Sequence, residues 1–391
     1  MRLSLGLLGI AAASLVAATA PSPPPRLIHE TNDYYVLHLD EGVSPKDVAQ
    51  RLGLAHEGPL GPVDCHHIFS GPKAEHDVVD TELKERKRRR RAFGTSDILD
   101  GVRASQKQVA RRRLHKRVIP PSPANMAPPL VARGSPDAAV VKLQTDTMAT
   151  LGIQDPIFRE QWHLINVDQV GHDVNVTGVW LQGITGKGAT VAIVDDGLDM
   201  YSDDLKDNYY AAGSWDFNDP GPEPRPKLSD DRHGTRCAGE VSAVRNNVCG
   251  VGVAYDSKIA GLRILSKLIS DADEALAMVY DYEHNHIYSC SWGPPDDGRS
   301  MDAPGILIKQ AMLKAIQQGR KGKGSIYVFA SGNGAQSEDN CNFDGYTNSI
   351  YSITVGAIDR QGQHPYYSEK CSAQLVVTYS SGSGDAIVSH L

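Results

Sequence analysis

The feature that most constrains the fold is a series of short runs rich in apolar and β-branched residues, each ending in polar ones. Residues 189–194 read ATVAIV and lead straight into Asp195-Asp196-Gly197. Residues 257–265, 287–292, 325–330 and 350–355 are similar. Strands that are apolar on both faces belong to parallel sheets covered on both sides. Helical patterns over residues 271–283 and 304–318 lie between them. From about Leu151 onward the chain is therefore expected to form an α/β domain, a parallel sheet with helices on both faces. In such folds functional side chains gather at the carboxyl ends of the strands.

The 391 residues exceed the length of one ordinary domain, and their charge is unevenly spread. Residues 1–150 carry 21 Lys and Arg against 16 Asp and Glu, whereas residues 151–391 carry 19 against 31. The acidic part suits cationic ligands or metal ions and argues against nucleic acid. At the start, Arg2, an apolar stretch over residues 3–16 and the small residues through Ala18-Thr19-Ala20 read as a secretory signal peptide, residues 1–20. No later run is long enough to span a bilayer. Asn175-Val176-Thr177 is a glycosylation sequon, which matters in a secreted chain. Six cysteines are too few to frame the fold.

Residues 21–80 alternate polar and apolar segments, as in YYVLHL (34–39) and HHIFS (66–70), and read as a small α+β unit. Two basic runs follow, KERKRRRRAF (84–93) and RRRLHKR (111–117). Such runs alone suggest a solvated arm. Here Lys116-Arg117 borders a proline-rich linker that should be extended and open to a protease. A propeptide spanning residues 21–117, released after Arg117, is the expectation, with residues 118–150 as linker. His66 and His67 could sense compartment pH within that propeptide, or be two ordinary histidines.

Polar residues sit at the ends of three elements in the acidic part. Asp195 and Asp196 follow the first strand, His233 opens a helical stretch in D-R-H-G-T-R, and Asn333 lies in A-S-G-N-G after a strand. In this order they supply an orienting carboxylate, a general base and an oxyanion donor, parts needed for Ser-His-Asp acyl transfer.

The segments V-D-D-G, R-H-G-T-R-C-A-G-E, S-C-S-W-G-P, A-S-G-N-G and C-N-F-D-G-Y-T-N-S-I-Y-S-I resemble the kexin/furin proprotein convertases of the subtilisin superfamily, above all fungal kexins. The resemblance implies a subtilisin-like domain over residues 151–391 that cuts secretory precursors after Lys-Arg or Arg-Arg pairs, late in the Golgi. Asp195, His233 and Asn333 are implied as its catalytic residues. It implies Asp296 and Asp344 in the first basic subsite, with Asp196, Asp230 and Asp231 contacting the second basic residue. Asp271, Glu274 and Asp302 are implied to line more distant basic subsites, and Ser291-Trp292-Gly293 to take the substrate as an added strand. Calcium is the implied cofactor. One site would use Asp155, Asp204, Asn247 and the carbonyls of Val244, Val248 and Gly250; the other would use Asp296, Asp339 and Glu369. A Cys341–Cys371 disulfide is also implied, with Cys237, Cys249 and Cys290 as free thiols.

The same resemblance places the nucleophile in a Gly-Thr-Ser motif beyond Ser380–Gly384, and these residues end at Leu391 without one. The Gly94-Thr95-Ser96 triplet lies in the basic region and is given no catalytic role. The expectation is an incomplete, inactive catalytic domain whose partners are dibasic precursors and its own propeptide. The alternative is a non-catalytic protein that binds basic peptides or that propeptide.

Overall fold

The computed structural model describes residues 23–111, 114–121, 135–382 and 387. The expected signal peptide and residues 122–134 of the expected linker fall outside that range.

The N-terminal unit runs β1 (Asn32–Leu39), α1 (Pro45–Leu52), β2 (Ala55–Pro59), β3 (His66–Pro72), α2 (Val78–Phe93) and β4 (Val102–Gln108). Its sheet is antiparallel, in the order β2-β3-β1-β4. Strand alternation divides β1 between two cores. Tyr35, Leu37 and Leu39 pack with Val48, Ala49 and Val79 of the two helices, while Tyr34 and Val36 enter a core shared with the rest of the chain. The unit extends beyond the residues 21–80 read as α+β. The basic run at 84–93 is also no arm, because it forms the second half of α2, capped by Asp77 and ended by Gly94 at φ 66°. Lys84–Asp80 and Arg89–Glu85 pairs at i,i+4 offset its self-repulsion. Arg86 turns inward to Asp100 at 2.7 Å.

After β5 (His115–Lys116) come α3 (Ala138–Leu151), α4 (Thr177–Leu181), β6 (Thr190–Asp195), β7 (Trp215–Asp216), α5 (His233–Ser242), β8 (Lys258–Arg263) and α6 (Asp271–Ala277). The chain continues through β9 (Ile287–Cys290), β10 (Trp292–Gly293), α7 (Ile306–Gly322), β11 (Ile326–Ala330), β12 (Ser352–Ile358) and β13 (Gln374–Tyr379). Seven strands form a parallel sheet in the order β13-β12-β11-β9-β6-β8-β7. The five predicted strand runs correspond to β6, β8, β9, β11 and β12.

Both faces of the sheet are covered. Ala192, Val194, Ala260 and Leu262 pack toward α6 and α7, whereas Val191, Ile193 and Ile259 pack toward Ala238 of α5. β6 lies between β8 and β9, so successive crossovers leave it in opposite directions. A crevice opens at the carboxyl end of β6, where this topology binds ligands.

Candidate active site

Asp195 is the last residue of β6 and His233 the first of α5. The Asp195 carboxylate oxygens stand 3.0 and 2.9 Å from His233 Nδ1. Gly234 permits this approach, since a Cβ there would lie 2.3 Å from the Gly197 carbonyl and 2.8 Å from Asp195 Cβ. Burial alone would depress the His233 imidazole, but the facing Asp195 carboxylate outweighs it and raises the ring above its ordinary value. The pair thus favours an imidazolium, the form a general base reaches on taking a proton.

Asn333 follows β11. Its backbone N–H donates to Asp296 at 2.7 Å. Its side-chain Nδ2 is buried without a hydrogen-bond partner among the described residues. A buried donor left unmade is costly, and an oxyanion site needs such a donor held ready. His233 and Asn333 line one cleft of about 620 Å³ together with Arg117 and Ser291.

That cleft contains the end of the N-terminal region. β5 pairs antiparallel with β10, Lys116 opposite Trp292 and His115 opposite Gly293, and Arg117 N–H donates to the Ser291 carbonyl at 2.9 Å. The Arg117 guanidinium donates to Asp344 at 2.7 Å, Asp296 at 3.2 Å, and the carbonyls of Ala330 at 2.6 Å and Trp292 at 3.1 Å. Gly293 makes room for it, because a Cβ there would sit 2.3 Å from Arg117 Nη2. Lys116 Nζ reaches Asp196 at 3.0 Å and the Asp230 carbonyl and carboxylate at 3.0 and 3.2 Å. Asp196 also accepts the backbone N–H groups of Arg232, His233 and Gly234, which aligns it beside the imidazole.

Residues 186–387 match the Subtilase family, Peptidase_S8. The chain belongs to the subtilase family. Among curated relatives, the "Dibasic-processing endoprotease" of Yarrowia lipolytica is 64% identical over 61% of this chain and 24% of that protein. The "Kexin" of Candida albicans is 47% identical over 93% of this chain and 40% of that protein. The chain thus spans under half the length of these relatives. Fervidolysin from Fervidobacterium pennivorans shares the fold, with a TM-score of 0.58 at 16% identity over 93% of this chain and 50% of that one.

Within this subtilase site the remaining expected acidic residues differ in their partners. Asp231 is 4.0 Å from Lys116, but its carboxylate binds Arg263 at 3.0 Å and Ser266 at 2.9 Å. Arg263, fully buried, also holds Asp216 and Asp219 and donates to the Asp196 carbonyl. Sequence reading missed it. The signal was an arginine inside an apolar strand, which requires buried carboxylates nearby. Asp271 pairs with Arg111 at 3.6 Å and accepts from Gln106, while Glu274 accepts from the Tyr346 hydroxyl. Leu114, three residues before Arg117, is buried beside Ile264, Leu265 and Ile269, near Glu274. That position is apolar here. Asp302 pairs through its backbone with Asp344 and caps Ala303, with no cation beside it among the described residues.

Calcium was implied at two acidic groups. Ligand atoms of Asp296, Asp339 and Glu369 lie within 4.8 Å of one another. Burial, then the neighbouring Asp296 carboxylate, pushes Glu369 up to about 8. Gly332, at φ 122°, leaves the space its carboxylate occupies. Such converging carboxylates fit a hard divalent cation. At the other group, burial pushes Asp155 up to about 6 and raises Asp204. The amide between those carboxylates belongs to Asn246, not to the expected Asn247, which is exposed. Val244 N–H donates to the Asp204 carbonyl, and the carbonyls of Val244, Val248 and Gly250 accept no hydrogen bond among the described residues. Cys341 and Cys371 are disulfide-bonded; Cys65, Cys237, Cys249 and Cys290 are free. Asn175 stands exposed just ahead of α4, with Thr177 of its sequon buried in the first turn.

Proposed function

We propose that this subtilase is the zymogen of a calcium-dependent serine endoprotease that processes secretory precursors after Lys-Arg and Arg-Arg pairs, late in the Golgi. Residues 21–117 are its propeptide and the first occupant of its cleft. The observation that carries the proposal is Lys116-Arg117 seated against Asp196, Asp230, Asp296 and Asp344, with the following peptide bond entering the cleft of His233 and Asn333. Two cations meet four carboxylates, one set for each basic residue. Arginine suits the inner position because its planar fork satisfies two carboxylates and two carbonyls at once.

His233 then takes the proton of an attacking serine hydroxyl and returns it to the leaving amine. Asp195 fixes the ring tautomer and stabilises the imidazolium, and Asn333 Nδ2 donates to the oxyanion. Calcium among Asp296, Asp339 and Glu369 would neutralise the carboxylates beneath the arginine pocket. A second reading, in which these 391 residues taken alone bind without catalysis, is favoured by the four carboxylates that already hold Lys116-Arg117. As an isolated polypeptide they are expected to hold basic peptides without hydrolysing them.

The test compares Lys-Arg and Ala-Ala reporter peptides with the complete gene product, with and without a calcium chelator. Cleavage of the first alone, lost on chelation, is expected; equal cleavage of both would overturn the proposal. Turnover by the 391-residue polypeptide would refute its inactivity.

A further inference from the structure

The cleft holds the chain very differently on the two sides of Arg117. Upstream, strand pairing, a backbone hydrogen bond and the ion pairs of Lys116 and Arg117 fix it in place. Downstream, Val118 is 60% exposed and Ile119 39%. Pro120 and Pro121 have no N–H to give a strand ladder. Among the described residues one hydrogen bond ties residues 118–121 to the domain: Tyr366 Oη donates to the Pro120 carbonyl at 2.5 Å.

The loop between β12 and β13 is built to hold that hydroxyl outward. The Tyr366 ring lies edge-on to Tyr367, 5.2 Å between centroids. Tyr367 is buried, and its hydroxyl bonds Ser380 Oγ at 2.8 Å and the Ser381 carbonyl at 3.0 Å. Its own carbonyl accepts Ala335 N–H, and Glu369, two residues on, accepts Gly334 N–H. The loop is therefore pinned to the segment that carries Asn333, which fixes Tyr366 relative to the oxyanion donor.

We propose that Tyr366 is the subsite residue for the leaving side of the substrate, donating to the main-chain carbonyl of the third residue after the scissile bond. The proposal rests on Lys116-Arg117 being docked as substrate. A carbonyl acceptor is present whatever the side chain, so the contact reads chain length beyond the basic pair and not sequence. It also takes proline at that position, where a strand-type subsite would require an N–H. The favoured substrate is an extended segment reaching at least three residues past the pair, and the leaving side is held by this one donor.

The experiment uses the whole chain and dilute trypsin, following by mass spectrometry the initial rate at which an N-terminus at Val118 appears. Under these conditions cutting follows the population of the open segment. Tyr366→Phe keeps the ring and removes the donor, and the rate should rise about two- to tenfold, as for one lost hydrogen bond. Cutting among Arg88–Arg91 in the same molecules should stay unchanged. Pro120→Ala retains the carbonyl and should preserve the Tyr366→Phe effect. Asp344→Asn tests the basic pocket separately and should raise the rate. A rise with Asp344→Asn but none with Tyr366→Phe overturns the role of Tyr366. A parallel rise at Arg88–Arg91 overturns it as general loosening. No rise with Asp344→Asn overturns the docking of the basic pair, and the Tyr366 subsite with it.

Discussion

Arg117 places a guanidinium, its side chain only 3% exposed, among two carboxylates and two carbonyls. Removing it leaves buried charge without a partner, which generally costs about 3–5 kcal/mol. Arg117→Met is therefore expected to loosen the docked segment by that order in urea denaturation of the whole chain. Arg117→Lys should fall between, because a compact ammonium cannot span both Asp296 and Asp344. His163 poses the opposite problem. It is 6% exposed, its Nδ1 has no hydrogen-bond partner among the described residues, and burial pushes it down to about 4. Since the folded value lies below the unfolded one, stability is complete above about pH 6.5 and falls as pH drops toward 4. The loss at the acid end should be up to about 3 kcal/mol. Thermal melts of wild type and His163→Leu across that range check it; parallel curves would refute it.

The parallel strands were the most legible elements, because a strand covered on both faces is apolar through its middle, as β6 is from Val191 to Val194 with all six positions buried. Asp195, His233 and Asn333 could be named for the same reason: each stands where an apolar pattern stops or starts. β13 escaped notice because it is an edge strand with Leu375, Val376 and Val377 exposed, so burial does not shape its sequence. α2 was hidden by its charge, since helix-forming arginines and a solvated arm share one composition. Asn246 and Arg263 were missed because their roles depend on which way a loop or strand turns, and spacing alone does not say. At β3 the histidines can be tested. His66 stacks on His38 at 4.4 Å, and His56 Nε2 lies 3.1 Å from His67 Nδ1. Burial lowers His56, His66 and His67. Their depressed values make the sheet's stability full above about pH 6.5 and decline below it. The N-terminal unit should loosen as pH falls below about 6.5, and His66→Leu with His67→Leu should flatten that dependence. Unchanged proteolytic release of the unit in the double variant would show that these rings do not titrate the contact.

At the scale of the whole molecule, the N-terminal unit and the subtilase domain share one hydrophobic core. Leu27, Tyr34, Val36, Leu60, Val63 and Ile68 pack into the same cluster as Leu276, Val279, Leu307 and Ile308. Polar contacts frame the seam: Lys314 reaches Asp64 at 2.7 Å, and Gln108 Oε1 accepts Ala272 N–H at 2.9 Å. None of this depends on the peptide bond after Arg117, because apolar burial acts between surfaces whether or not the chain is continuous. Cutting that bond is therefore expected to leave both pieces associated at neutral pH, running as one species on size exclusion. Leu60 offers a way to break the association without touching the cleft. It is fully buried, and the neighbouring Gly61 approaches so closely that a Cβ there would stand 3.1 Å from Leu276 Cδ2. Leu60→Asp would bury a carboxylate with no cation opposite, a cost of several kcal/mol, on the order of the seam's own stability. Nicked Leu60→Asp protein should separate into two species where nicked wild type does not. Separation of nicked wild type at neutral pH would instead mean that the covalent link and the Lys116-Arg117 docking, and not the shared core, hold the two parts together.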